Sequence, residues 1–226
     1  MDDALDPRSL VVEAIGAFTL IFASTGAVMV AAGKTNIGLL EIAFAHGLAI
    51  ALMVSALGAI SGGHFNPAVT VAMWVTRRIG TIAGAGYVVA QLTGAVLASL
   101  ALRVLFPEGL REEAQMGAAL LGPGIDFARG VGIEAILTFF LVIVIFGTAV
   151  DSRAPKLGGI AIGLTITMDI LIGGPLTGAA MNPARAFGPA VVAGVWDDHV
   201  VWWIGPIIGA VAAGLLYHYV LIEEEA

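Results

Sequence analysis

Two copies of one triplet, Asn66-Pro67-Ala68 and Asn182-Pro183-Ala184, stand in the two halves of the 226-residue chain, and Arg185 follows the second directly. Carboxamides and a guanidinium donate hydrogen bonds; they select and orient a solute without making or breaking its bonds. An arginine near membrane depth is expensive and almost always functional, and here it would supply fixed donors and a positive barrier at a narrow point. No nucleophile–base pair, phosphate loop or metal-ligand cluster accompanies these groups, so neither an enzyme nor a metal or cofactor site is expected. The absence of cysteine excludes thiol catalysis, disulfides and Cys–metal sites.

The elements that must hold these groups follow from the same residues. Asparagine is a strong helix N-cap, and proline is tolerated at the first helical position, where its missing N–H would be unpaired anyway. Each triplet therefore starts a helix, continued by Val69 to Thr76 in one copy and Ala186 to Ala193 in the other. A helix of about ten residues rises about 15 Å, half of a hydrocarbon core about 30 Å thick. These are half-helices, and each N-terminus carries about +0.5 of an elementary charge. Two such ends facing each other oppose any cation, protons included. The loops leading in, Ser61 to Phe65 and Leu176 to Met181, are rich in small residues, and irregular backbone at membrane depth is tolerated where it lines a wet cavity. The carbonyls of Gly62, Gly63, His64, Gly178, Ala179 and Ala180 are expected to form a line of acceptors leading to the asparagine donors. Glu13 and Glu134, at matched positions in the two halves, are read as structural acids that accept N–H groups of the re-entrant loops; a proton relay is the weaker alternative.

Composition bounds the rest. The chain is 59% hydrophobic and 12% charged, with 30 Gly and a net charge of −7, far from the quarter or so of charged residues usual in soluble domains. It reads as a polytopic all-α membrane protein, with no basic footprint for nucleic acid. Six apolar runs, roughly 9–32, 40–60, 82–105, 129–150, 157–174 and 200–222, are of spanning length. Three spans and one half-helix make a unit that occurs twice, giving inverted repeats 9–105 and 129–222 joined by the loop 106–128, within one channel domain, 1–226. The correspondence extends to side chains: Val12-Glu13-Ala14-Ile15 matches Ile133-Glu134-Ala135-Ile136, and Gly94 matches Gly209. Gly84, Gly86, Gly94, Gly205, Gly209 and Gly214 are read as sites of close helix packing.

The acidic ends (Asp2, Asp3, Asp6 and Glu223 to Glu225) are read as solvated tails. Arg8, Arg77, Arg78, Arg153 and Lys156 fall on one face, against Lys34, Arg103, Arg111 and Arg129 on the other, which puts the termini on the cytoplasmic side. Short tails without a targeting extension point to a prokaryotic plasma (inner) membrane. The partners expected are membrane lipid, water and small neutral solutes.

The paired triplets, Ser61-Gly62-Gly63-His64 before the first, Arg185 after the second and the two glutamates together resemble the aquaporin (major intrinsic protein) family over essentially the whole chain. The resemblance implies six transmembrane helices with two re-entrant half-helices and a homotetramer with one pore per subunit. It also implies passive conduction of water to the exclusion of ions. Ala186 and Ala190 stand where glycerol facilitators have an aspartate and a basic residue, and Trp202-Trp203 looks like the aromatic pair of water-type members. A glycerol or small-polyol facilitator is the first alternative, an ion-coupled secondary transporter the remote one.

The stretch Glu41 to Ile50 is similar to plant tonoplast aquaporins. Carrying over the selectivity filter gives His46, Ile170, Ala179 and Arg185, where orthodox water channels have Phe and His at the first two positions. Such a filter implies ammonia and hydrogen peroxide as further solutes. Ammonia-conducting members add a histidine from the third extracellular loop, and 106–128 contains none. His64 is expected to fix its loop, His199 and His218 to lie at the interface, and Asp169 to face the outer vestibule or a neighbouring subunit.

Overall fold

The computed structural model describes residues 5–33, 36–155 and 157–222. Asp2, Asp3, Glu223 to Glu225, Lys34 and Lys156, invoked above for the tails and the charge count, lie outside the described residues. The helices are α1 Pro7–Ala32, α2 Leu39–Ser61, α3 Pro67–Val75, α4 Thr81–Leu105, α5 Glu108–Glu113, α6 Phe127–Ile145, α7 Gly159–Thr177, α8 Pro183–Ala193 and α9 Val201–Leu216. Among the described residues six are long and apolar enough to cross a membrane: α1, α2, α4, α6, α7 and α9. The half-helices α3 and α8 have 9 and 11 residues.

Local chemistry starts these helices: the asparagine caps stand where the sequence predicts, whereas Asp6, read above as part of a solvated tail, caps α1. The Asp6 carboxylate accepts from the N–H of Arg8 and Ser9, with Pro7 at the first position. The Asn66 and Asn182 side chains cap α3 and α8, each with proline next. Each spanning set packs around its own half, α1 on α2 and α4, α6 on α7 and α9, and α2 meets α7 between the halves. The half-helices then cross over: α3 packs on α9 as well as α4, and α8 packs on α4 and α1. At the matched crossings, a Cβ on Gly94 would run into the Ala14 carbonyl and one on Gly209 into the Ala135 carbonyl. Only the absence of a side chain lets the backbones approach this closely.

Four features differ from the sequence reading. The segment 106–128, read above as a loop, holds α5 and a 3-10 turn, Gln115–Gly117. Glu108-Gly-Leu-Arg-Glu-Glu is mostly strong helix formers, and Met116 anchors the turn by burial at 7% exposure. The fifth span runs to Thr177, past Pro175. The terminal carbonyls of α7 find partners from outside the helix, Gly122 N–H on Leu176 O at 2.7 Å and Trp202 Nε1 on Thr177 O at 2.9 Å. Both α6 and α9 end in a wider π-helical turn, Phe146–Val150 and Tyr217–Leu221, and the rings of Phe146 and Tyr217 meet at 5.8 Å. Gly84 is not in close helix packing, since a Cβ there would meet nothing nearer than 3.7 Å.

Candidate functional site

The two re-entrant loops meet inside the bundle. Asn66 Nδ2 donates to Met181 O at 2.8 Å, and Asn182 Nδ2 donates to Phe65 O at 2.9 Å. Each carboxamide also turns its oxygen back to its own helix, Asn66 Oδ1 accepting from Ala68 N at 2.8 Å and Asn182 Oδ1 from Ala184 N at 2.9 Å. One N–H of each amide is thereby committed to the opposite loop, and the second remains for the cavity that both residues line.

Each loop is held from behind by an acid. Glu13 accepts from Ser61 Oγ (2.6 Å), His64 N (3.0 Å), Phe65 N (2.6 Å) and Gln91 Nε2 (2.8 Å). Glu134 accepts from Thr177 Oγ1 (2.7 Å), Ala180 N (2.9 Å) and Met181 N (2.7 Å). Both acids are fully buried. Because the carboxylates take the loop N–H groups, the carbonyls on the other edge of each loop are free to point elsewhere. Phe65, Ala179 and Met181 hold positive φ (49°, 44° and 51°), a backbone strain that persists where surrounding contacts fix it.

A cavity of about 400 Å³ runs through the bundle past these loops. Of the residues singled out from sequence, its wall includes His46, Gly62, Gly63, His64, Asn66, Ala179, Ala180, Asn182 and Arg185. Pro67, Ala68, Pro183 and Ala184 lie in the buried first turns of α3 and α8, behind the asparagines. Gly178 is the left-handed cap of α7, at φ 76°. Ile170 is 1% exposed and lies one helix turn past Ile166, which is on the cavity wall; Ile170 itself is not among the wall residues and belongs to the apolar core. The rest of the wall is mostly aliphatic, with Leu20, Val69 and Ile166 among it, and Arg78 and Tyr87 add polar groups. No sequence signal separates these aliphatic positions from lipid-facing ones.

At one end of the cavity, His46 Nδ1 lies 2.7 Å from Ile42 O. A carbonyl only accepts, so Nδ1 carries the proton, and Nε2 of the neutral ring presents a lone pair. Nε2 is buried without a hydrogen-bond partner among the described residues. Arg185 is 3% exposed; its Nη1 donates to Gly117 O at 3.2 Å and its Nε has no partner among the described residues. The Gly117 carbonyl, presented by the 3-10 turn, thus reaches the guanidinium from the segment that lacks a histidine. His64 Nδ1 lies 3.1 Å from Thr70 Oγ1, and its ring stands edge-on to Tyr87. His199 accepts from Trp203 Nε1 at 3.2 Å. Asp169 faces neither a vestibule nor a neighbour. It is 0% exposed within this chain, and neither carboxylate oxygen has a hydrogen-bond partner among the described residues. It shares its helix face with Gly173, four residues on, which is seated against Leu137 of α6. That face is turned into the bundle.

At the other end, Arg78 stacks over the Phe146 ring at 5.6 Å beside the mouth of the cavity. Asp151, just past α6, accepts from Arg153 Nε (3.0 Å), Arg153 Nη2 (2.7 Å) and Tyr217 Oη (3.2 Å), and Arg153 Nη2 also reaches Leu221 O at 3.1 Å. The Arg153 hydrogen bonds hold the Asp151 carboxyl well below the usual carboxylate range.

Comparison with known proteins agrees with this geometry. The family model described as major intrinsic protein matches residues 3–217. Aquaporin TIP4-4 of Zea mays is 44% identical over 95% of this chain and 87% of its own length. Nodulin-26 of Glycine max is 43% identical over 96% and 79%, and Aquaporin-8 of Mus musculus is 40% identical over 95% and 82%. These relatives are plant and animal proteins, so the expectation of a prokaryotic membrane has no support from them. The X-ray structure of the aquaglyceroporin from Plasmodium falciparum superposes with a TM-score of 0.84 over 95% of this chain and 96% of that one; at 24% identity it speaks to the fold alone. With its six spans, its two capped half-helices and these similarities together, the chain belongs to the major intrinsic protein (aquaporin) family of multi-pass membrane channels.

Proposed function

We propose that this channel for small neutral solutes conducts water, takes ammonia and hydrogen peroxide as secondary solutes, and excludes protons and other ions. The observation that carries the reading is that the His46 Nε2 acceptor, the Arg185 donors and Ala179 line one cavity. Water and ammonia each satisfy an acceptor and a donor at once; a cation meets a guanidinium there and then two helix N-termini at Asn66 and Asn182. Ile170, an aliphatic residue, adds no polar ring to the opening, which favours solutes slightly larger or less polar than water.

The same reading takes the protein as a homotetramer with one pore per subunit and places its termini in the cytoplasm. Arg8, Arg77, Arg78 and Arg153 follow or precede the helix ends on the side of the termini, which supports that orientation by the bias of basic residues toward the cytoplasm. Stopped-flow light scattering of proteoliposomes tests the solute range. Water and ammonia fluxes well above those of empty vesicles, with glycerol flux equal to them, are the expected result. Ammonia flux no higher than in empty vesicles removes ammonia from the reading, and rapid glycerol entry replaces it with a polyol facilitator.

A further inference from the structure

A second hollow, of about 220 Å³, opens between α3 and the first two turns of α4. Its lining includes Thr70, Trp74, Thr81, Gly84 and Val88. Both hydroxyls in this set are already engaged: Thr81 Oγ1 accepts from Trp74 Nε1 at 3.0 Å, and Thr70 Oγ1 donates to Asn66 O at 3.1 Å and accepts from Gln91 Nε2 at 3.0 Å. What they leave toward the groove is carbon. Gly84 is the floor, where the nearest atoms to an added Cβ would be Thr70 Cγ2 at 3.7 Å and Ile79 Cγ2 at 3.8 Å, so the space is real and not a tight crossing. Trp74, 48% exposed, stands at the rim as an amphipathic ring does at the level of lipid headgroups.

Just beyond Trp74 the chain turns through Arg77 at φ 59°. Arg77 is exposed and makes no ion pair among the described residues, whereas Arg78 is directed over Phe146. An all-carbon slot on a spanning helix, with a tryptophan rim and a free guanidinium one turn past it, matches one kind of occupant. We propose that the groove holds an acyl chain of an anionic phospholipid, with its phosphate at Arg77. The floor residue Thr70 also supports the carbonyl of Asn66 and receives His64 Nδ1, so the bound chain lies against the back of the first half-helix. This site is independent of which solute the pore conducts.

Native mass spectrometry of the delipidated full-length protein, titrated with dioleoyl phosphatidylglycerol or dioleoyl phosphatidylcholine, tests it. The wild type should retain the anionic lipid about fivefold better, the preference one basic side chain gives near a membrane surface, and Arg77→Gln should reduce that ratio to about one. Gly84→Leu should weaken both lipids about tenfold by denying roughly two methylenes their burial, whereas Gly84→Ala, whose methyl fits, should not. Val88→Trp fills the same space from the next turn and repeats the test where Gly84→Leu fails to fold. Unchanged binding in both filled variants overturns the site, as does an undiminished lipid preference in Arg77→Gln. Loss of subunit association in the filled variants, with lipid binding intact, would mean that a second copy of the chain occupies the groove and would equally overturn it.

Discussion

Glu13 and Glu134 occupy matched places behind the two re-entrant loops but are unequally supported, Glu13 receiving four donors and Glu134 three. The difference is the Gln91 amide, whose place in the second half falls to Pro206, a residue without a donor. The first loop is thus tied to α4 through its acid, and the second is tied to α9 through a different atom, the Trp202 Nε1 on Thr177 O.

Replacing either acid by its amide puts an N–H₂ group against loop N–H groups that have no other acceptor. Glu13→Gln and Glu134→Gln should each lose about 3–5 kcal/mol, the scale for stripping one partner from a buried charged contact, and Glu13→Gln the more by about one charge-assisted bond. Thermal unfolding in detergent and water flux in proteoliposomes check the order. Equal losses would mean that the fourth donor contributes nothing.

The His46 ring tests the filter. His46→Leu removes the Nε2 acceptor while leaving Arg185 and Ala179 in place. One lost hydrogen bond of about 0.5–1.5 kcal/mol corresponds to a fall of about two- to tenfold in ammonia flux relative to water. The paired stopped-flow measurements described above give the ratio; no change in it would remove His46 from solute contact.

Asn182→Asp exchanges a donor to Phe65 O for a carboxylate facing that carbonyl, and adds negative charge where two helix N-termini repel cations. The expected result is a measurable proton leak, read with a pH-sensitive dye in proteoliposomes under an imposed potential. Tight vesicles with normal water flux would show that the dipoles suffice without the carboxamide.

Mercurials should leave water flux unchanged, because the chain has no cysteine. Ala179→Cys should confer inhibition, since Ala179 lines the cavity wall beside Arg185. Insensitivity of that variant would place position 179 away from the solute path.

Asp151 predicts a pH dependence. Its carboxyl is held below the usual range by Arg153, so the folded state binds its proton less readily than the unfolded chain does. The stabilisation is therefore present above the ordinary carboxylate pKa of about 4 and is lost only as pH falls through the lowered folded value. Asp151→Asn should lower the unfolding temperature equally at pH 8 and pH 6, with the gap to wild type closing only in strong acid. A gap that changes between pH 6 and 8 would point to another group.

Much of this architecture is legible from residues because several local signals coincide. Asn66-Pro67 and Asn182-Pro183 each combine a cap, a proline and an apolar run too short to span, and two buried acids before such loops have few other uses. The aliphatic part of the cavity wall is not legible, since Leu20 or Ile166 looks the same in sequence whether it faces water or lipid. Nor is the contact from Gly117 to Arg185, which depends on left-handed backbone at Gln115, Met116 and Gly117. The inward orientation of Asp169 depends on the rotation of α7, which a nearly uniform apolar span does not encode.

The exchange between Asn66 and Met181, and between Asn182 and Phe65, bears on how the protein is made. A nascent chain that has inserted only its first three spans has a loop whose amide and carbonyl await partners not yet synthesised. The polar groups of each loop are therefore satisfied only when the late loop docks on the early one, so neither half of the chain completes its own solute path.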